Sequence, residues 1–491
     1  MIAGLKPYPE YKDSGLPWLR QMPAHWGIKR GKSVFQSIDQ RSATGKEELL
    51  TVSSARGVVP RRTASVTMFK AESYLGYKLC WSGDLVINSL WAWGGGLGVS
   101  RYHGIISSAY GVYRIRSGAP LIPDYVHELV RSSAFHWELQ VRSKGVWISR
   151  LQLTDISFLD APIPLPPPAE QSAMVRFLDY ANGRLERAIQ AKRKVIALLH
   201  EQKQAIIHRA VTRGLDPAVP LKPSGIPWLG DIPKHWEVRR LRTVVHRIEQ
   251  GDSPLAVGFL AEGDSWGVLK SGCVNRGIFR EAEHKQLAKS FEIDPAIVVK
   301  VGDVLISRAC GSPSLVGSVG KVESLKYRLI FSDKTFRAVF RELVDVDFMV
   351  FAMNSRYYRD QVEQAISGAE GMANNLPLSS LRDFIFPIPP LKEAGEIAAH
   401  LQENLRELHT ALTRLDREIS LLREYRTRLV ADVVTGKLDV RPAARQLPEE
   451  GGELSHGADQ SDESDAAEGV DETGGAERAD ESGLCDEMPL E

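Results

Sequence analysis

Two histidines recur in this chain with the same neighbours. His25 precedes Trp26 in "SGLPWLRQMPAHWGIKR" (Ser14–Arg30), and His235 precedes Trp236 in "SGIPWLGDIPKHWEVRR" (Ser224–Arg240). Imidazole is the side chain best suited to moving protons near neutral pH. Catalysis would need a nucleophile or carboxylate that recurs with the histidines, and none is evident beside either copy. Both are therefore expected to pack inside a Trp- and Pro-rich segment. Other catalytic patterns fail on spacing. "WGGGLG" (Trp93–Gly98) lacks the G-x-G-x-x-G register and reads as a flexible loop, and "ATGKEE" has no Ser or Thr after its lysine. H-E-x-x-H, the protein-kinase set and an Asn/Asp-Pro-Pro-Tyr/Phe motif are missing from the sequence. Cys80, Cys273, Cys310 and Cys485 are scattered without C-x-x-C or zinc-ligand spacing. They read as free thiols, and no metal site is expected.

Charge points elsewhere. The 491 residues carry 62 basic and 62 acidic side chains, but residues 447–491 hold 16 Asp and Glu against one basic residue, Arg478. Residues 1–446 then hold 61 Lys and Arg against 46 Asp and Glu, a basic body that fits a polyanion. Basic residues cluster at Arg56, Arg61 and Arg62; at Arg142, Lys144 and Arg150; at Lys270, Arg276 and Arg280; at Arg308; and at Arg356 and Arg359. Arginine reads guanine edges, and both types neutralise phosphates, so these twelve are the DNA-binding candidates. The acidic end, rich in Gly and Ser, buries too little to offset its ordering entropy and is expected to be disordered. No apolar run approaches the ~20 residues of a membrane span and no signal-peptide pattern opens the chain, so a cytoplasmic location is expected.

The elements that position these residues come in duplicate. The two opening segments are 210 residues apart. "GDLVIN" at Gly83 and "GDVLIS" at Gly302 each read as a turn and a short strand, and "ISSAYGVYRI" and "IFSDKTFRAV" alternate like strands. "PDYVHELVRSS" and "VDFMVFAMNSR" read as helices. "PIPLPPPAEQ" and "FPIPPLKEAGE" hold off helix until the acidic residue, and a long helix then follows in each copy. Its seam runs through Val175, Leu178, Asn182, Leu185, Ile189, Lys192, Ile196, Leu199, Lys203 and Ile206. At a constant offset of 223 the second seam reads Ala398, Leu401, Leu405, Leu408, Leu412, Leu415, Ile419, Leu422, Arg426 and Leu429. Spacing of three and four over several heptads argues coiled coil. Because a short linker (214–225) carries the end of the first helix into the second globular part, the helices must run antiparallel. About 40 residues of helix span ~60 Å. The lysines at the seam are expected to snorkel.

The expected organisation is α+β: two α/β globular domains separated by an antiparallel two-helix coiled coil, in a pseudo-two-fold repeat. The boundaries are a first domain over 1–165, a central spacer helix over 166–215, a second domain over 216–390, a C-terminal spacer helix over 391–440 and an acidic disordered tail over 441–491.

These residues together resemble the DNA-specificity subunits of type I restriction–modification systems. The resemblance rests on "YKDSGLPWLRQMPAHWGIKR" and its echo, the paired "GDLVIN"/"GDVLIS" and "PIPLPPPAEQ"/"PIPPLKEAGE" segments, and helices closing with "AVTRGL" and "VVTGKL". It covers about residues 10–440. It implies that each globular part is a target recognition domain reading one half of a bipartite, gapped DNA site and that the helices set the gap. It implies double-stranded DNA, two modification (methyltransferase) subunits and restriction (translocase/nuclease) subunits as partners. The chain itself would bind no cofactor, with S-adenosylmethionine, ATP and Mg on the partner subunits. Trp18, Trp26, Trp228 and Trp236 would anchor the segments that open each domain near the helices. A non-catalytic coiled-coil adaptor and a specificity subunit of a methylation-only complex stay as alternatives. A self-sufficient restriction or modification enzyme is disfavoured by the missing motifs.

Overall fold

The computed structural model describes residues 5–64, 73–145, 151–288, 291–366 and 374–448. The chain divides into two units, residues 1–189 with 420–491 and residues 190–419. Each is built from a globular part and stretches of two long helices, Pro168–Arg213 and Leu391–Val434.

The first unit centres on a four-stranded antiparallel sheet in the order Phe35–Ser37, Tyr110–Ile115, Leu85–Asn88, Leu97–Val99. The second repeats that order with Val245–Gln250, Thr335–Phe340, Val304–Ser307 and Val319–Lys321. The "GDLVIN" and "GDVLIS" segments supply the third strand of each sheet. Gly83 and Gly302 turn into it at φ of +93° and +92°, a conformation that side chains resist. Apolar residues fill both faces: Leu85, Val86, Leu305 and Ile306 are fully buried. Helix pairs pack beside the sheets, Pro123–Arg131 with Ser133–Arg142 and Val346–Ala352 with Arg356–Ala365. Among the described strands only Trp266–Leu269 with Arg328–Ile330 forms a parallel ladder, so the domains themselves are α+β rather than α/β.

The proline-rich segments are edge strands. Pro162–Leu165 pairs with Gly27–Arg30, and Ile385–Ile388 with Glu237–Arg240, where proline's missing N–H does no harm. The first long helix begins at Pro168, inside its own first turn, and not at the acidic residue two positions later.

Within each unit the helix stretches run antiparallel. In the first, Leu178 and Ala181 share a core with Leu429 and Val433, and Arg426 reaches Glu186 at 3.6 Å. In the second, Lys192 meets Glu418 at 2.5 Å, and Ile207 and Ala210 share a core with Ala398 and Leu401. Lys192 thus makes a cross-helix ion pair where snorkelling was expected. Of the seam positions, Leu178, Ile189, Leu401, Leu405, Leu412, Ile419 and Leu429 are buried. Leu185, Ile196, Leu199, Ile206, Leu408, Leu415 and Leu422 are half-buried. At the end of the first helix Ile207 replaces Ile206 as the buried residue, because the helix there meets a globular core and not only its partner.

Each domain opens at the end of one long helix. Gly214 and Gly436 stop the helices at φ of +73° and +75°. A Cβ on Gly436 would lie 2.5 Å from Pro23 and 2.8 Å from Trp26, and one on Gly214 would lie 3.4 Å from Trp236. Lys6 bridges Asp439, so the beginning of the chain docks where the second helix ends. Residues 441–448, assigned to the acidic tail from sequence, depart from that expectation. They form a short helix, Arg441–Arg445, whose Ala444 is buried in the first core, and Arg176 holds the carbonyls of Leu447 and Pro448. The remainder, 449–491, lies outside the described residues. No helix among the described residues is long and apolar enough to cross a membrane.

Candidate nucleic-acid interface

Trp26 and Trp236 fasten each domain to a long helix, while Trp18 and Trp228 pack on aromatic residues within the domains. Trp18 packs edge-on against Phe135 at 5.5 Å, and Trp228 stacks on Tyr357 at 5.9 Å. Trp26 and Trp236 are fully buried, and each indole N–H donates to a carboxylate in the first turn of a long helix. Trp26 Nε1 reaches Glu170 Oε1 at 2.9 Å, and Trp236 Nε1 reaches Glu393 Oε1 at 3.0 Å. The other oxygen of each carboxylate meets the neighbouring histidine, His25 Nε2 at 2.8 Å and His235 Nε2 at 2.6 Å. A carboxylate partner therefore does recur with the histidines, contrary to the reading of the sequence. Glu170 and Glu393 are separated by 223 residues, the offset of the helix seams and not that of the Trp segments, so inspection beside the histidines misses them. An acid in the first turn also suits the helix macrodipole. In the first unit Tyr8 adds a third donor to Glu170, and Arg441 lies 3.7 Å away. The arrangement fastens a domain to a helix.

The basic candidates fall into two groups. Several are committed to the protein. Arg56 donates to the Thr63 carbonyl at 2.6 Å, Arg142 pairs with Glu138 at 2.5 Å, and Arg308 donates to the Asp333 carbonyl at 2.9 Å. Arg359 donates to the carbonyls of Val316 at 2.5 Å, Ser314 at 3.2 Å and Pro313 at 3.4 Å. Others face solvent. Lys144 and Arg276 are exposed; Arg280 is exposed while holding the Asn275 carbonyl at 2.9 Å. Arg62 and Arg356 are 76% and 78% exposed beside Glu48 and Asp360. Arg61 shares the 3-10 turn Arg61–Thr63, and Lys270 sits 3.7 Å from Glu283. Arg150 lies outside the described residues.

The structure places Arg142 and Lys144 in the first domain, and Arg276, Arg308 and Arg359 in the second, on segments that form or touch one loop in each domain. In the first, residues 89–96 connect the two last strands of the sheet. They rest on the helix Ser133–Arg142, and Ser89 accepts from Leu153 N at 2.9 Å, one residue beyond the Lys144–Gln152 bridge. In the second, residues 308–318 make the same connection. Ala309–Cys310 pairs with Asn374–Asn375, Arg308 accepts from Leu376 N at 2.8 Å, and the segment Ser271–Gly277 that carries Arg276 packs on the turn Pro313–Leu315. The two loops that have no sequence similarity thus occupy one topological position. "WGGGLG" is not a simple flexible loop: it forms the 3-10 turn Ala92–Gly94 and the strand Leu97–Val99, with Gly95–Gly98 buried. Leu90 and Trp91 project from it, 56% and 47% exposed.

Sequence reasoning missed the residues that hold the strands following these loops. Arg131 donates to the carbonyls of Leu97 at 2.8 Å, Ser54 at 2.6 Å and Ala55 at 2.8 Å. His127 accepts the Val99 N–H at 3.2 Å, and burial, with Arg131 and Arg101 nearby, pulls its pKa down to about 3. Asn354 both donates to the Val319 carbonyl and accepts from its N–H. Cys80 and Cys273 are buried, which pushes their thiols up to about 12.

No protein-family model matches the chain. It is 25% identical over 308 residues to the type I restriction enzyme MjaVIII specificity subunit of Methanocaldococcus jannaschii, a match covering 62% of this chain and 68% of that protein. It is 26% identical over 199 residues to the type I restriction enzyme EcoEI specificity subunit of Escherichia coli, covering 40% of this chain and 33% of that protein. Its fold matches a chain in a solved structure on complex assembly and conformational transition of the type I R-M system. That match has a TM-score of 0.57 and 16% identity, and covers 84% of this chain and 98% of that one.

Proposed function

The chain is a relative of type I restriction enzyme specificity subunits, and we propose that it is the sequence-reading, non-catalytic component of a type I restriction–modification complex. Each domain reads one half of a gapped duplex site. The paired helices carry the contacts to two methyltransferase subunits, which supply S-adenosylmethionine chemistry at adenine N6. Restriction subunits, with ATP and Mg, complete the assembly, and the complex works in the cytoplasm. The observation that carries this reading is the repeat itself: one scaffold occurs twice, with basic residues gathered around a loop that differs between the copies. A shared scaffold with divergent loops suits one duplex read at two different half-sites.

DNA binding by the assembled complex tests this. Neutralising six to ten phosphates implies a loss of roughly 10³–10⁵ in affinity between 50 and 200 mM salt. Steep salt dependence with preference for one gapped sequence is the expected result. Flat dependence without preference would favour the protein-only adaptor.

A further inference from the structure

Arg359 holds the loop of the second domain, while Arg131 and its counterpart Asn354 each hold the strand that follows the loop. The divergent loops follow equivalent strands, Leu85–Asn88 and Val304–Ser307, and each exposes small or apolar tips: Leu90 and Trp91 in one, Gly311, Pro313 and Ser314 in the other. The first loop is braced from within, Trp91 lying 5.2 Å from Trp93 and Trp93 Nε1 donating to the Leu90 carbonyl, whereas the second has, among the described residues, only the Ser312–Ser314 hydroxyl contact as a side-chain hydrogen bond within 311–315. In the second domain the guanidinium of Arg359 takes up three carbonyls of residues 308–318, whereas in the first Arg131 holds Leu97, in the strand after the loop, and Ser54 and Ala55, in the hairpin turn between Leu50–Ser53 and Gly57–Pro60. Arg131 ends the first helix of its pair, and Arg359 lies in the first turns of the second helix of its pair. At the helical offset of 223 the counterpart of Arg131 is Asn354, not Arg359. Asn354 holds the strand Val319–Lys321 and leaves the loop tip to Arg359. Arg359 Nε also lies 3.3 Å from the exposed Glu363 carboxylate on its own helix.

We infer that Arg359 is a positioning residue that sets the shape of the base-reading loop of its domain and does not itself contact phosphate. This rests on the proposed DNA-recognition function. A guanidinium offers up to five N–H donors in a rigid fork, whereas lysine offers a point charge. A phosphate contact would tolerate lysine, but a fork holding three carbonyls would not.

The test is competition binding by the assembled complex carrying full-length wild type, Arg359→Lys or Arg359→Ala, on the selected site, on variants of each half and on scrambled duplex. Losing charge-assisted bonds to the loop predicts that both variants lose about tenfold or more in selectivity. The loss is confined to one half-site, with affinity for scrambled DNA and the salt slope unchanged. Wild-type selectivity in Arg359→Lys would overturn the inference. So would equal weakening on all sequences by Arg359→Ala with the salt slope reduced by about one, the signature of a lost phosphate contact. Unfolding of Arg359→Lys, seen as lost amide protection in the strand Thr335–Phe340, would also overturn it by making Arg359 a residue of the fold. A wild-type complex with no sequence preference would instead remove the DNA-recognition reading.

Discussion

Replacing Glu170 with alanine removes the acceptor on which the first domain closes. Trp26 is 1% exposed, and Tyr8, which donates to the same carboxylate, is 3% exposed. Each buried donor left without a partner costs about 1–3 kcal/mol. His25, with 43% of its side chain exposed, can turn to water and adds little. The expected cost of Glu170→Ala is therefore about 4 kcal/mol. Glu393→Ala should cost about 2 kcal/mol, because it orphans one buried donor, Trp236, and its side chain is 29% exposed where water can substitute. Glu170→Gln keeps an acceptor for Trp26 and loses only the charge facing His25 and Arg441, at about 1 kcal/mol. A chain of two units need not unfold in one step, so the assay is hydrogen exchange. Protection across residues 5–30 should fall in Glu170→Ala and across 221–240 in Glu393→Ala. Exchange in Glu170→Ala within 0.5 kcal/mol of wild type, or a larger effect in Glu393→Ala than in Glu170→Ala, would refute the reasoning, with about 1.4 kcal/mol corresponding to tenfold in exchange.

Two further perturbations probe the scaffold. Leu408→Pro removes a helical hydrogen bond in the middle of the second long helix, costs about 3 kcal/mol or more and should abolish assembly with the methyltransferase partner, read by size-exclusion chromatography. Persistent assembly would count against the helical spacer. The folded first domain needs His127 neutral, since its Nδ1 accepts from Val99, while an unfolded imidazole takes up a proton near pH 6.5. Its contribution is thus complete above about pH 6.5 and is lost as pH falls toward about 3. Asparagine keeps an acceptor but does not titrate, so His127→Asn should flatten the acid limb of the first unit's urea midpoint against pH.

Periodic and repeated features were legible in the sequence. Heptad leucines, Gly83 and Gly302, and the alternating strands each leave a local signal, because the same physics acts on adjacent residues. The clasp was not, because His25 and Glu170 are 145 residues apart and belong to segments with different repeat offsets. The arginines were legible as charge but not as geometry. Arg359 and Arg276 look alike in sequence. One lies in the first turns of a helix and grips backbone carbonyls; the other stands exposed with a left-handed backbone at φ of +60°. The divergent loops hid their equivalence for a related reason: the sheet order aligns them, and no side chain does.

The most direct measurement is a genome-wide map of adenine N6 methylation in the host with and without this chain. The account predicts a two-part gapped motif, methylated in both halves, that disappears when the chain is removed and returns with it. A methylation map unchanged by its removal, with the partner methyltransferase expressed, would contradict the claim that this chain chooses the DNA sequence.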